Sequence, residues 1–172
     1  TLWAEYAMTP TLAIQLYTLR DECARDFYAT LHAVREMGFD AVELAGLHGH
    51  APEQVRLWLD EFGLGVTSAH ASSEDLARDL DLPIGLARTL RYSRHVMPWT
   101  QARSHSETQQ LIEQLVRAAA LLRGTGLSLG YHNHDFELAR WPDGGRMLDL
   151  VLAEPSLFLE PDLGWLWFAG EE

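Results

Sequence analysis

The sequence predicts an α/β protein, a (β/α)₈ TIM barrel of which about six of the eight βα units are present. Short apolar runs alternate with longer segments of helical periodicity, the pattern of strand and crossover helix. The runs begin about every 29 residues, close to the roughly 31 residues per unit of an eightfold barrel of about 250 residues. No Gly-x-Gly-x-x-Gly turn follows the first run, which disfavours a dinucleotide-binding sheet.

Six parallel strands are expected, at residues 12–17, 40–44, 66–70, 90–97, 127–132 and 157–162. Each run is short and bounded by glycine or polar residues. This pattern is typical of parallel strands that are covered by helices on both faces of the sheet. The fourth run is the weakest, because Arg91, Arg94 and His95 are polar for a buried strand. After the sixth run, only about ten residues follow, and we expect no helix there.

Three helices have clear sequence signals. An apolar stripe that begins at Phe27 precedes Gly38, the expected C-cap of the first helix. Pro52 suits the first turn of the second helix. Ser106 and Gln109 have the spacing of a capping box, which predicts that the third helix begins at Ser106.

Composition limits the classes of function. The 172 residues include 25 acidic and 13 basic side chains, for a net charge of -12, which repels nucleic acid and attracts divalent cations. No apolar run is long enough to cross a membrane. The single cysteine, Cys23, fits a small buried helical position and a reducing, cytoplasmic location. We expect one barrel domain at residues 11–172, preceded by a leader or upstream segment at residues 1–10, because Met8 lies just before the first run.

Polar side chains end five of the six runs. In a parallel barrel these carboxyl ends form the open mouth. The residues concerned are Gln15, Tyr17, Glu43, His70, His132, His134, Glu160 and Asp162. The fifth run is the richest, because two imidazoles are followed by Glu137, and nitrogen and carboxylate donors suit a divalent transition metal. The same residue types also serve as hydrogen-bonded structural groups, and that alternative stays open.

Five segments resemble the sugar phosphate isomerase/epimerase family, which has the xylose isomerase-like TIM barrel. They are residues 14–21, 38–46, 68–70, 162–165 and above all 131–137, Tyr-His-Asn-His-Asp-Phe-Glu. The resemblance implies one divalent metal (manganese, zinc, magnesium or cobalt) held by side chains from strands five to eight. Asp162 matches the strand-six aspartate, His132 stands where relatives have glutamate, and Glu137 is an alternative carboxylate. The last two family ligands have no counterpart, which implies a barrel incomplete at its C-terminus.

The resemblance implies a sugar isomerase or epimerase that transfers a proton on a keto-sugar or sugar phosphate with the help of the metal. The expected partner is a small-molecule carbohydrate, and a homo-oligomer would cover the edges of an incomplete sheet. The site residues expected are Glu43, His70 and His132 for catalysis, Tyr17, His134 and Trp165 for substrate binding, and His132, Glu137 and Asp162 for the metal.

Two alternatives remain. Lyase or hydrolase chemistry on 3-keto-glycosides, or dehydration of an inosose, begins with the same enolisation. A non-catalytic fragment or sugar-binding remnant is the alternative from another class. A DNA-repair endonuclease with the same barrel is disfavoured by the acidic charge.

Overall fold

A computed structural model describes residues 11–171, so the expected leader at residues 1–10 lies outside the described residues. The chain forms two compact units, one reaching Thr67 and one beginning at Ser68. Strand order in the sheet follows chain order from β1 to β6. Among the described residues, no helix is both long and apolar enough to cross a bilayer.

The first unit holds two complete strands and the beginning of a third. Its elements are β1 (Ala13–Gln15), a 3-10 turn (Leu16–Leu19), α1 (Arg20–Arg25), α2 (Phe27–Glu36), β2 (Ala41–Leu44), α3 (Pro52–Phe62) and the start of β3 (Gly65–His70). β1 and β2 pair in parallel, with Gln15 opposite Glu43. Asp26 caps α2 by accepting from the Ala29 N–H, and Gly63 ends α3 with a φ of 66°. Cys23 is buried on α1, as predicted.

The second unit holds the end of β3 and three further strands. Its elements are α4 (Ser73–Arg78), α5 (Asp81–Leu90), β4 (Arg94–Met97), α6 (His105–Arg123), β5 (Ser128–His132), a 3-10 turn (Phe136–Leu138), α7 (Met147–Leu152), β6 (Phe158–Glu160) and α8 (Leu163–Phe168). β3–β4, β4–β5 and β5–β6 all pair in parallel. The apolar face of α6, with Leu115 and Leu122, is buried together with Val96 and Leu129 of the strands.

The fourth strand differs from its prediction. Residues up to Leu90 belong to α5, and Arg91, with a φ of 62°, ends that helix in the left-handed conformation. The strand therefore begins at Arg94, four residues later than expected. His95 is buried although it is polar for a buried strand: it is 1% exposed, and its Nε2 lies 3.3 Å from the carbonyl oxygen of Pro83.

One helix boundary and one whole helix also differ from the prediction. The third predicted helix, α6, begins at His105 rather than Ser106, because Ser104 and Glu107 form the capping box. Where no helix was expected after the sixth strand, α8 forms. Pro161 has no N–H to continue the strand, and the Asp162 carboxylate then caps α8.

Candidate active site

The carboxyl ends of β5 and β6 lie side by side. In the parallel register Gly130 is opposite Phe158, and His132 is opposite Glu160. Gly130 makes this pairing possible, because a Cβ at that position would overlap the ring of Phe158. Since paired residues of neighbouring strands point to the same face of a sheet, His132 and Glu160 meet there.

His132 lies between two carboxylates. Its Nδ1 is 3.2 Å from Glu160 Oε1, and its Nε2 is 3.7 Å from Asp162 Oδ2. The imidazole is mostly buried, and both carboxylates are partly exposed. Each ring nitrogen therefore faces an acidic group, one from β6 and one from the residue that caps α8.

Two hydrogen bonds orient Asp162. Its Oδ1 accepts from the Trp165 N–H at 2.9 Å, and its own N–H donates to Asn133 Oδ1 at 3.0 Å. The Asn133 side chain is fully buried just after β5, so the chain after β6 is tied to the chain after β5. With Oδ1 engaged in capping, Oδ2 is the oxygen that lies toward His132.

Glu137 is a fully buried carboxylate that accepts hydrogen bonds from two donors. Oε1 accepts from the Tyr131 hydroxyl at 2.7 Å, and Oε2 accepts from the His134 N–H at 2.8 Å. Burial, together with the charge of Glu137, raises the pKa of Tyr131, so the phenol stays a neutral donor. The carboxylate therefore fixes the turn that carries His134.

His134 is enclosed by aromatic rings. It stacks on Phe136 at 5.6 Å between ring centroids and meets His132 edge-on at 5.1 Å. Trp165, which is partly exposed, lies at a tilt 5.6 Å from it. Burial lowers the pKa of His134, although the charge of Glu137, with its Oε1 3.7 Å from Nδ1, works in the opposite direction. The neutral imidazole is favoured at neutral pH.

The donor set suits a divalent metal only in part. Within residues 11–171, no three histidine, cysteine, aspartate or glutamate side chains come close enough together to hold a metal ion. His132 Nε2 and Asp162 Oδ2 supply one nitrogen and one oxygen, a pair of the right chemical type. Glu137 already accepts a hydrogen bond at each oxygen. The predicted ligand set of His132, Glu137 and Asp162 stays a prediction.

His70 ends β3 on the same face of the sheet as His132. It is opposite Val96 in the register, and Val96 is opposite Gly130, two residues before His132. Two strand spacings of about 4.8 Å each separate β3 from β5. His70 therefore shares a face of the sheet with His132.

Tyr17 and Glu43 belong to the first unit. Tyr17 follows β1 in the 3-10 turn and is exposed, with the Arg20 guanidinium 5.0 Å from its ring centroid. Glu43 is buried at the end of β2 and accepts a 2.8 Å hydrogen bond from Gln15 Nε2. Their predicted roles in substrate binding and catalysis stay predictions.

Three contributors were not assigned a role from the sequence. Glu160 was recognised only as a strand end, yet it faces His132. Asn133 and Tyr131 lie within the richest segment, and neither an amide nor a phenol is a typical acid or base. The position of Asn133, between two histidines at a strand end, is the signal that could have found it.

The comparisons with known proteins show the class of fold. No protein-family model and no curated protein matches the sequence. Solved structures do match, and the chain has the fold of the xylose isomerase-like TIM barrel proteins. The predicted (β/α)₈-type fold with six βα units is thereby confirmed.

Three of the similar structures have this fold in common with the chain. A sugar phosphate isomerase/epimerase from Parabacteroides distasonis ATCC 8503 is 19% identical, with a TM-score of 0.81 over 96% of this chain and 70% of that one. The IolI protein with a bound zinc atom is 10% identical, with a TM-score of 0.69 over 95% and 66% of the two chains. The probable 3-DHS dehydratase AsbF from Bacillus anthracis is 16% identical, with a TM-score of 0.67 over 94% and 66%.

Proposed function

We propose that this protein is a sugar isomerase or epimerase that moves a proton on a keto-sugar. The observation that carries the proposal is the position of His132 between Glu160 and Asp162, with the neutral His134 beside it, at the carboxyl ends of adjacent strands. In barrels of this kind, chemistry is performed at those ends. The similarity to a sugar phosphate isomerase/epimerase supports the same class of reaction.

Glu160 and Asp162 lie near different ring nitrogens of His132, so the two nitrogens have different roles in proton transfer. A carboxylate beside Nδ1 favours the tautomer with its proton on Nδ1, which leaves a lone pair on Nε2. Nε2 then acts as the base that removes the proton next to a carbonyl and returns it to the neighbouring carbon or to the other face. Asp162, on the Nε2 side, stabilises the imidazolium that forms.

His132 Nε2 and Asp162 would be two of the ligands of a divalent metal, and His134 would then take the role of the base. When bound, such an ion stabilises negative charge on the sugar oxygens during enolisation. Side chains of the protein position these groups. Glu160 orients His132, and Asn133 accepts a hydrogen bond from the backbone N–H of Asp162. Glu137 fixes the backbone of His134.

Aromatic side chains offer a surface for the sugar. Trp165 is partly exposed and lies against His134, so its ring can pack against the C–H groups of a carbohydrate. Tyr17 is the corresponding proposal for the first unit. The sequence contains no lysine, so these 172 residues cannot hold a carbonyl substrate as a lysine imine.

The test is deuterium exchange. The protein is incubated in heavy water with manganese and a panel of ketoses (fructose, tagatose, psicose and ribulose), and carbon-bound deuterium is measured by NMR. We expect uptake into at least one ketose, and a loss of about 100-fold or more in rate for His132→Gln and for His134→Gln. Glu43→Gln and His70→Gln test the two remaining predicted acid-base groups in the same assay.

His105→Gln is the matched control, because His105 is exposed and stacks on Trp141 away from the cluster. Its exchange rate should equal that of the unchanged protein. Absence of deuterium uptake across the panel, with a folded protein and metal present, contradicts the proposal. So does full activity of both histidine variants.

Dehydration is the second candidate, favoured by the similarity to a probable dehydratase. Removal of the same proton would then be followed by loss of a hydroxyl group as water. The mass of the product separates the two reactions, because a dehydration product is lighter by one water and an isomer is not. A product that is lighter by one water, with deuterium at the carbon that lost its hydroxyl group, would support dehydration.

A further inference from the structure

A cavity lies in the second unit, and its lining residues do not include the histidine cluster. It has a volume of about 580 Å³, within the range of roughly 300 to 1,000 Å³ that small-molecule sites occupy. Its walls are the segment that begins α4, residues 98–102 after β4, and the first turns of α6. The cavity therefore opens where β3 and β4 end, the same end of the strands at which His132 ends β5.

The lining chemistry is that of a site for an uncharged, hydroxyl-rich group. Trp99 is 48% exposed and offers an aromatic surface. Gln101 and Gln110 carry amides that both donate and accept hydrogen bonds, and Glu74 and Glu107 carry acceptors for hydroxyl groups. The lining residues include two carboxylates and no arginine, while the Arg103 guanidinium lies beside the wall, 5.6 Å from the ring of Trp99.

Glu107 is a fixed negative charge in this wall. Its carboxylate accepts from the backbone N–H groups of Arg103 and Ser104 and from the Ser104 hydroxyl. These bonds lower its pKa, so it is ionised at neutral pH. Two carboxylates, Glu74 and Glu107, beside the one guanidinium of Arg103 leave a net negative charge, which favours a neutral sugar over a phosphate or carboxylate.

A short row of side chains joins the cavity to the histidine cluster. The Arg103 guanidinium lies between Trp99 and Phe136, with its carbon 5.6 Å and 3.7 Å from the two ring centroids. Phe136 in turn stacks on His134. Arg103 Nη1 donates to the carbonyl oxygens of Thr100 and Ala102, which fixes the guanidinium in this row.

We infer that the Trp99 cavity binds a second, uncharged sugar unit of the substrate while the reacting unit lies at His132 and His134. The inference deepens the proposed function by assigning the substrate class: neutral glycosides or disaccharides rather than sugar phosphates. Binding at the cavity is a separate event from proton transfer, so each can be measured without the other.

The experiment is a calorimetric titration of the protein with cellobiose, maltose and trehalose, compared with glucose and with glucose 6-phosphate. At least one disaccharide should bind about fivefold to tenfold more tightly than glucose, the gain expected for stacking on one indole ring. Trp99→Ala should remove that gain and leave the affinity for glucose unchanged. Trp141→Ala, which removes an indole outside the cavity, is the matched control and should keep it.

The position of binding is checked by the indole ¹H–¹⁵N resonance of Trp99, assigned by its loss in Trp99→Phe. It should shift with the disaccharide and remain unchanged with glucose. Equal binding of disaccharide and glucose, an unchanged gain in Trp99→Ala, or tighter binding of glucose 6-phosphate than of every neutral sugar overturns the inference. Failure of deuterium exchange with an intact Trp99 effect would instead overturn only the proposed proton transfer.

Discussion

Glu137 shows how a single residue can order the candidate site. A carboxylate buried without partners costs several kcal/mol, and hydrogen bonds to its charged form offset that cost. Tyr131 and the His134 backbone provide those bonds, and both belong to the same seven-residue segment as the carboxylate. Local sequence thus supplies the charge and the donors that stabilise it.

Tyr131→Phe should lower the free energy of unfolding by about 2 kcal/mol. The change removes one donor and leaves a buried carboxylate oxygen unsatisfied, which costs roughly 1 to 3 kcal/mol. Urea unfolding followed by circular dichroism measures the loss.

Tyr28→Phe is the matched control for that measurement. The Tyr28 hydroxyl also donates a 2.8 Å bond to a glutamate, Glu61, but at an exposed position where water replaces it. Its effect should stay below about 0.5 kcal/mol. Equal losses for the two tyrosines would show that burial of Glu137 does not decide the outcome.

His95 is expected to make stability depend on pH. Burial lowers its pKa below the ordinary value of 6.5, so the folded protein resists a proton that the unfolded chain accepts. The stabilisation is fully present above pH 6.5 and is lost as pH falls from there through the folded pKa. His95→Gln removes this titration and keeps an amide that can donate to the Pro83 carbonyl.

The measurement is urea unfolding of both proteins between about pH 7.5 and 5, and the difference between them isolates His95 from the other histidines. Relative to the variant, the unchanged protein should lose up to about 1.4 kcal/mol per pH unit below 6.5. A constant difference over this range would contradict the role given to His95.

At the scale of elements, the packing of β5 on β6 depends on a missing side chain. Gly130→Ala should lower the free energy of unfolding by about 1 to 3 kcal/mol, because the new Cβ would overlap the Phe158 ring. Phe158→Leu in the same chain should recover part of that loss, so the two changes are not additive. Chemical denaturation of the single and double variants measures the coupling.

Gly124→Ala is the control for this prediction. It lies at the end of α6 with a φ of -66°, and the nearest atom to its Cβ is 3.9 Å away. Its effect should be neutral or stabilising by up to about 1 kcal/mol. A similar loss at Gly124 and Gly130 would show that contact with Phe158 is not the cause.

Strands and helices with strong periodic signals could be predicted from the sequence, and boundaries decided by the backbone conformation or the cap of a single residue could not. Residues 40–44 were predicted as a strand and are one from Ala41 to Leu44, because the apolar run ends where the polar loop begins. The boundary between α5 and β4 was missed, since Arg91 takes a left-handed conformation that its residue type does not indicate. α8 was missed because its start depends on the Asp162 cap rather than on an apolar stripe.

The same limit applies to the candidate site. Position at a strand end identified His132, His134 and Asp162, which the structure brings together. The carboxylate that lies beside His132 could not be predicted, because it depends on the register between β5 and β6. That register places Glu160 beside His132, a pairing that spans 28 positions of the chain.

At the scale of the whole molecule, an apolar surface contrasts with the acidic charge. Helix α8 exposes most of Leu163, Trp167 and Phe168, with Trp167 80% exposed. The net charge of -12 opposes association, but adjacent exposed aromatic rings are typical of interaction surfaces. The predicted homo-oligomer would use this helix.

We expect a protein of these 172 residues to self-associate at concentrations of about 10 to 100 µM through α8, because burying two large aromatic side chains outweighs the screened repulsion. Sedimentation velocity should show a concentration-dependent coefficient, and Trp167→Ser with Phe168→Ser should abolish that dependence. Leu57→Ser with Leu121→Ser removes two exposed apolar residues from separate helices and should leave the concentration dependence unchanged.

Association that persists in the α8 variant, or a monomer at every concentration, would contradict the prediction that α8 is the contact surface. Added salt should strengthen association of the unchanged protein, since screening weakens only the repulsive part.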